Sequence, residues 1–475
     1  MNENIKNKYE CVIGLEIHAE LKTKTKIFCR CKTSFGARAN TSICPVCMGF
    51  PGTLPVLNKK AVEYATKAAV ALNCTVNKSS RFDRKNYFYP DLPKGYQITQ
   101  FFHPIAQNGF LTVEIENEKK RIGITRIHME EDAGKLIHEN GVTKADFNRS
   151  GLPLIEIVTE PDMRSPEEAV QFLKKLRLIL LYTGVSDCKM NEGSMRCDVN
   201  LSVRKKSEAS FGQKVEIKNI NSFQFAHKAM EYEFERQTTI LENSGKVDQE
   251  TRRFDEKTGT TISMRKKEDA ADYKFFPEPD LGELCISDEY ISELRGQVPM
   301  LPDERKKLYT KTYCLTQDDA ETLISEPEFA YIFDKAVEMC QSPKTLSNLI
   351  LSEGFKLRKE KNTLPSMPEN LALISNLISS GKIGSTNAKK VLSAIWDSTE
   401  NAEDYAKNNN LLQINDKAIL LPIVKNAIEN SSKSVSDYKS GKQAAFKAIV
   451  GKIMAETKGC ANAEIVTQLL IELLG

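Results

Sequence analysis

Val12-Ile13-Gly14-Leu15-Glu16-Ile17-His18-Ala19-Glu20-Leu21 alternates two kinds of residue along its length. Ile13, Leu15, Ile17, Ala19 and Leu21 are apolar, whereas Glu16, His18 and Glu20 are polar. A strand sends successive side chains to opposite faces. The stretch therefore predicts a strand with an apolar face and, on the other face, two carboxylates and an imidazole one pleat repeat apart. Such a row is solvated surface if it faces water, and a cation or phosphate site if it lines a cleft.

Other stretches repeat the device. Leu154-Ile155-Glu156-Ile157-Val158 reads as a buried strand with Glu156 at its centre, and a carboxylate there needs a cation or a functional reason. Arg196, Asp198, Asn200, Ser202 and Arg204 alternate with Cys197, Val199, Leu201 and Val203, and Lys214, Glu216 and Lys218 with Val215 and Ile217. His128-Met129-Glu130-Glu131-Asp132 adds three consecutive acids. Any one of these could be solvated charge; several strands with ionic faces point to a lined cleft.

Arg81-Phe82-Asp83-Arg84-Lys85-Asn86-Tyr87-Phe88-Tyr89-Pro90-Asp91, running on to Tyr96, interleaves cations with aromatics. Cations neutralise phosphates and aromatic faces stack on bases; a half-buried strand with a basic edge would read the same way. Arg84, Lys85 and Tyr87 are the candidates there.

The chain has 475 residues and 12 cysteines, too few for a disulfide scaffold. Four of them cluster as Cys29-Arg30-Cys31 and Cys44-Pro45-Val46-Cys47. Paired thiolates on two short turns suit tetrahedral zinc in a ribbon, and four cysteine ligands leave no open position, so such a site is structural.

The formal net charge of +3 makes any nucleic-acid contact a local patch. No apolar run approaches the roughly 18 residues a membrane helix needs. Met1 to Glu10 is polar and mixed in charge, unlike a signal or transit peptide, so a cytoplasmic location is expected.

Near residue 295 the period changes from strand-like to helical. Ala388, Val391, Leu392 and Ile395 form one stripe, Phe446, Ile449, Val450 and Ile453 a second, and Val466, Leu469, Leu470 and Leu473 a third. The predicted fold class is α+β: an antiparallel-sheet domain over 1–293 with a zinc-ribbon insertion at 29–47, an all-α connector over 294–407 and a small all-α tail over 408–475. There is no G-x-x-x-x-G-K-[ST] loop, so ATP, if used, must lie on the sheet. Neither an N-terminal cysteine nor an amidase signature supplies a glutaminase.

Gly14 to His18, Phe82 to Asp91, His128 to Lys135, Leu154 to Val158, Arg196 to Asn200, Thr251 to Asp255, Asp272 to Asp280 and Asp437 to Gly451 together resemble the B-subunit family of aspartyl/glutamyl-tRNA amidotransferases, in order and over nearly the whole chain. The resemblance implies a glutamine-synthetase-like cradle that holds Mg–ATP on its open sheet face. It also implies two partners, an amidase (glutaminase) that delivers ammonia, known as the A subunit, and a small C subunit. The substrate would be misacylated Glu-tRNA(Gln), Asp-tRNA(Asn) or both. Magnesium prefers carboxylate oxygens, so Glu16, Glu131, Glu156 and Asp198 are the expected ligands, with His18 orienting water, phosphate or a proton. Arg84, Lys85 and Tyr87 would meet ATP phosphates or the acceptor end, and Lys439, Lys442, Lys447 and Lys452 the tRNA body. Structural zinc on Cys29, Cys31, Cys44 and Cys47 would be a scaffold option. A non-enzymatic RNA-binding scaffold and a free-standing ligase for a small substrate are the rival readings.

Overall fold

Alternation of β-branched and aliphatic residues with charged ones builds a sheet that is dry on one side. The computed structural model describes residues 7–116, 118–266 and 273–475, so Asp272 lies outside the described residues. Nine strands make the main sheet: β1 (Tyr9–Glu20), β2 (Thr75–Val76), β3 (Ala106–Ile115), β4 (Glu118–Glu131), β5 (Pro153–Thr159), β6 (Met195–Lys205), β7 (Val215–Ile220), β8 (Glu250–Asp255) and β9 (Thr260–Lys266). Their spatial order is β9-β8-β7-β6-β1-β5-β4-β3-β2, with β1 at the centre. Every pairing is antiparallel except β7 with β8.

The apolar face carries Ile13, Leu15, Ile17 and Ala19 of β1, Ile155 and Ile157 of β5, Ile127 and Met129 of β4, and Cys197, Val199 and Leu201 of β6, all buried. Three helices cover it: α1 (Lys59–Ala71), α2 (Pro166–Tyr182) and α3 (Phe223–Glu242). The start of α2 is written in the sequence. Ser165 caps it by accepting from the Glu168 amide, Pro166 stands in the first turn, and Glu167 and Glu168 complement the helix dipole. Ala169, Phe172, Leu173, Leu176, Ile179 and Leu180 then form its buried stripe. Each fully buried aliphatic side chain contributes about 2 kcal/mol, so this shared core is what holds the polar face in register.

Two compact units divide the chain, Met1–Pro302 and Asp303–Gly475. The divide lies beyond residue 293 because α4 (Asp288–Gly296) packs against α1 and buries Leu294 within the first unit. A smaller antiparallel sheet of Asp83–Asn86, Tyr96–Thr99 and Phe276–Pro277 belongs to that unit.

In the described residues, the second unit is helical. Ala388, Val391, Leu392 and Ile395 are buried on the helix Ser385–Ile395. The last helices form a core of their own from Leu420 to Leu474. Ile449 and Ile453 are buried there, with Phe446 and Val450 packed against them. In the final helix Val466, Leu469 and Leu470 are buried as expected, but Leu473 is exposed and Leu474 takes its place at the helix end. No helix among the described residues is long and apolar enough to cross a membrane.

Candidate active site

The polar face opposite the core gathers two carboxylate clusters, and strand register explains both. His18 of β1 stands opposite Glu156 of β5, which stands opposite His128 of β4. Cross-strand partners share a face, so these three meet, and Glu130, one pleat further along β4, joins them. His18 Nε2 lies 3.3 Å from Glu130 and 3.2 Å from Glu156, and His128 Nε2 lies 3.2 Å from Glu156. Burial opposes charge on His18, but its hydrogen bonds to Glu130 and Glu156 prevail and raise its pKa to about 10. Burial also opposes ionisation of Glu156, yet His128 and His18 hold its carboxyl well below the usual range. His128 Nδ1 is buried without a hydrogen-bond partner, an open polar valence beside the cluster.

The second cluster sits on the other flank of β1. Glu16 stands opposite Asp198 of β6, and Glu216 of β7 stands opposite Asn200. Asn200 donates to Glu16 at 2.8 Å, and Lys218 bridges Asp198 at 2.9 Å and Glu216 at 3.0 Å. Burial lowers the pKa of Lys218, but Asp198 and Glu216 outweigh it and raise the value overall. Asn200 Oδ1 is buried and unpartnered. In each cluster three ligand atoms, from His18, Glu130 and Glu156 and from Glu16, Asp198 and Glu216, lie within 4.8 Å of one another. Carboxylate oxygens, with an imidazole in the first set, are donors that a divalent ion accepts, and an unpartnered buried polar atom stands beside each set, so the chemistry of both donor sets suits such an ion.

Glu16, His18, Glu156 and Asp198 thus share the face, and Glu131 does not. In β4, Arg126, His128 and Glu130 point to the polar side, whereas Ile127, Met129 and Glu131 share the other parity. Glu131 is buried, pairs with Lys94 and accepts from the Ile98 amide at 2.9 Å. Glu130, His128, Arg126, Glu216 and Lys218 are the residues of this face that the sequence-based candidates omitted. The alternation that picked out His18 would have found Glu130 as well.

Arg84 is engaged rather than open. Its guanidinium forks onto Glu278 at 2.7 and 2.8 Å, reaches Asp280 at 3.1 Å and lies over the Tyr96 ring. Lys85 rests on aromatic faces, 5.6 Å from the Tyr87 ring centre and 4.9 Å from that of Tyr273. Arg126 lies over Phe101 at 5.5 Å.

Cys29, Cys31, Cys44 and Cys47 bring their sulfurs within 4.8 Å of one another. The segment is built of turns with a single bridge, Thr25 to Lys32, and the expected ribbon strands are absent among the described residues. Lys26, fully buried, places its ammonium 3.7 Å from Cys47 Sγ. The hydrogen bond with Cys29 lowers the Cys47 thiol to about 5 against burial, aided by the Cys44 amide and by Lys26. A buried ammonium beside the sulfurs suits four thiolates on one zinc, whose net charge is negative. Gly49, at φ +68°, is needed next to this knuckle, because a Cβ there would fall 2.5 Å from the side chain of Lys94, the cation that pairs with Glu131.

In the tail, Lys442 pairs with Asp437 at 3.0 Å, and Lys452 donates to the Asn430 carbonyl at 2.7 Å. Lys439 and Lys447 are exposed and form no ion pair among the described residues.

A mainly antiparallel sheet that gathers two carboxylate clusters and cations on one face has the build of a catalytic domain. The comparisons name the family. Residues 11–292 match the family described as GatB/GatE catalytic domain, and residues 331–474 the one described as GatB domain. A protein of Caldicellulosiruptor saccharolyticus is 50% identical over 475 residues, covering 98% of this chain and 99% of its own length. One from Carboxydothermus hydrogenoformans is 50% identical over 472 residues, covering 98% of each chain. One from Persephonella marina is 48% identical over 472 residues, covering 98% and 100%. All three are named as the B subunit of aspartyl/glutamyl-tRNA(Asn/Gln) amidotransferase. The chain belongs to the amidotransferase B-subunit family.

Proposed function

We propose that this chain, as the B subunit of a tRNA-dependent amidotransferase, activates the side-chain carboxylate of a misacylated Glu-tRNA or Asp-tRNA on the polar face of its sheet. A carboxylate is a poor electrophile because oxide would have to leave. ATP solves this: a carboxylate oxygen bonds to the γ-phosphorus, the bond to ADP breaks, and an acyl phosphate forms. Ammonia then attacks the carbonyl carbon, and phosphate leaves with the bonding pair as the amide forms.

Such a reaction needs positioning and charge neutralisation above all. Magnesium, when bound, would neutralise phosphate oxygens, held by Glu130 and Glu156 with His18 at one cluster and by Glu16, Asp198 and Glu216 at the other. Lys218 bridges Asp198 and Glu216 and holds them in place, and Asn200 fixes Glu16. Lys85 and Arg126 face the phosphate-bearing end of the substrate, while Arg84 holds the small sheet beside it. Glu131 serves instead to anchor Lys94, and with it the cysteine knuckle. Cys29, Cys31, Cys44 and Cys47 hold a structural zinc. The ammonia comes from the amidase partner, and a small third partner completes the assembly. The tail meets the tRNA body through Lys439 and Lys447, with Lys442 and Lys452 tied into local structure.

The observation that carries this reading is the pair of adjoining carboxylate clusters on one sheet face. Glu156→Gln keeps the shape of the strand and removes its charge. In the assembled complex it should reduce tRNA-dependent ATP cleavage by about 100-fold or more while glutamine hydrolysis continues. ATP cleavage at the wild-type rate would overturn the assignment.

A further inference from the structure

Arg196 stands on the polar face of the sheet with part of its donor set unused. In the sheet register it lies directly opposite His18 of β1, and on its own strand, β6, Asp198 follows one pleat repeat along. Cross-strand partners share a face, and so do alternate residues of one strand. Arg196 therefore borders both carboxylate clusters, beside His18 of the first and beside Asp198 of the second.

Its Nη2 lies 2.9 Å from Asp132 Oδ1, near enough for an ion pair but without the alignment of a hydrogen bond. Nη2 and Nε are both buried and have no hydrogen-bond partner among the described residues. A folded chain keeps few buried donors in that condition, and each one calls for an explanation. Asp132 has a better partner elsewhere: Arg149 forks onto its other oxygen, with Nε at 3.1 Å and Nη2 at 2.5 Å. The Arg196 side chain is 39% exposed, so it also reaches the open side of the sheet. Burial opposes its charge, but Asp132, and then Glu20 and Glu130, outweigh burial and raise its pKa. The guanidinium thus stays charged, leans on an acid that another arginine already holds, and has donors to give.

A guanidinium matches phosphoryl oxygens, which it meets with two parallel N–H bonds. In the activation step the substrate's carboxylate oxygen bonds to the γ-phosphorus of ATP. The bond from that phosphorus to the bridging oxygen breaks, and its electron pair leaves with ADP. Negative charge is spread over the three other γ-oxygens meanwhile. We propose that Arg196 leaves Asp132 to Arg149 and donates to the γ-phosphoryl oxygens, holding them through the transfer and in the acyl phosphate that results. It touches the group in transfer and gives up no proton. The proposal rests on the cleft being where the carboxylate is activated.

The test uses the assembled amidotransferase carrying Arg196→Ala or Arg196→Lys, with magnesium present. Calorimetry measures the binding of ADP and of a non-hydrolysable ATP analogue, and tRNA-dependent ATP cleavage is followed with and without millimolar guanidinium ion. Arg196→Ala should bind the analogue about tenfold more weakly and ADP as the wild type does. Its ATP cleavage should fall about 100-fold or more, and guanidinium should restore part of the loss. Arg196→Lys, which keeps the charge without the fork, should lie between Arg196→Ala and the wild type. Equal weakening for both nucleotides, or for neither, would overturn the proposal. So would a raised KM for aminoacyl-tRNA with nucleotide binding unmoved, which would give the arginine to the substrate's carboxylate. A lowered melting midpoint with no rescue by guanidinium would also overturn it, making Arg196 a structural partner of Asp132. Glu156→Gln separates this proposal from the reading beneath it. Full ATP cleavage in Glu156→Gln would count against the cleft; lost cleavage there, with wild-type nucleotide binding in Arg196→Ala, would count against Arg196 alone.

Discussion

Glu130 and Glu131 are neighbours in the chain, yet they serve opposite sides of the sheet. Glu130 contacts His18 at the carboxylate cluster, and Glu131 pairs with Lys94 beneath the cysteine knuckle. Lys94→Ala would strand a buried carboxylate without its cation, which costs about 3 kcal/mol; chemical denaturation of the variant should show a loss of that order, and an unchanged midpoint would deny the pairing its structural role. The knuckle makes its own prediction. Purified protein should hold one zinc per chain, and Cys44→Ser should release it and lower stability, because metal-binding energy is also folding energy. Metal analysis finding no zinc in the wild type would remove the site. At this scale the sequence was partly legible. The even positions of β1 and the centre of β5 announced their carboxylates through alternation. Glu130 was hidden because three acids in a row were read as one group, although the parity of Ile127 and Met129 assigns Glu131 to the other side. The ion pairs of Arg84 were not legible either: its partners Glu278 and Asp280 are about two hundred residues away in the chain, and no local pattern reveals such a pairing.

At the scale of elements, the far edge of the sheet is held by a buried ionic clamp. Glu233 of α3 is fully buried and takes Arg236 at 2.6 Å, Arg252 of β8 at 3.5 Å and the hydroxyl of Thr261 of β9 at 2.9 Å. Arg252 also binds Glu250 at 2.6 Å. Arg252→Ala would leave two acids short of a cation, so we expect a loss of about 3 kcal/mol, read by thermal or chemical denaturation. The clamp also predicts a pH dependence. Burial opposes ionisation of Glu250, but Ser263 and Arg252 prevail and hold its carboxyl below its ordinary value of 4.5. A group whose folded pKa is depressed stabilises the fold above its unfolded pKa and loses that contribution as pH falls through the folded one. Wild-type stability should therefore decline below about pH 4.5, and Arg252→Ala should flatten the decline; identical profiles would contradict the clamp. Element type was the most legible layer. Alternation marked the strands of the face, and Ser165-Pro166 with its acidic first turn marked α2. The stripes marked the later helices, except at Leu473, which is exposed while Leu474 is buried. The order of strands was not legible, because β1 pairs with β5 and β6 across long intervening segments.

For the whole molecule, we propose that the sheet domain and the helical unit divide the work, with activation in one and grip on the tRNA body in the other. The last helices hold a core of their own, so removing residues 408–475 should spare ATP binding and glutamine hydrolysis while weakening tRNA binding and flattening its salt dependence. Lys442 and Lys452 already serve local bonds. The double change Lys439→Ala with Lys447→Ala should therefore account for a drop of about two in the salt slope, and equal slopes for variant and wild type would leave the tail without phosphate contacts. The central claim is that the side-chain carboxylate is activated at His18, Glu130 and Glu156. It is tested most directly by tRNA-dependent ATP cleavage in complexes carrying Glu130→Gln or Glu131→Gln, with glutamine hydrolysis followed in the same samples. We expect Glu130→Gln to lose cleavage by about 100-fold or more and Glu131→Gln to retain most of it, with glutamine hydrolysis preserved in both. Full cleavage in Glu130→Gln, or its selective loss in Glu131→Gln, would contradict the assignment.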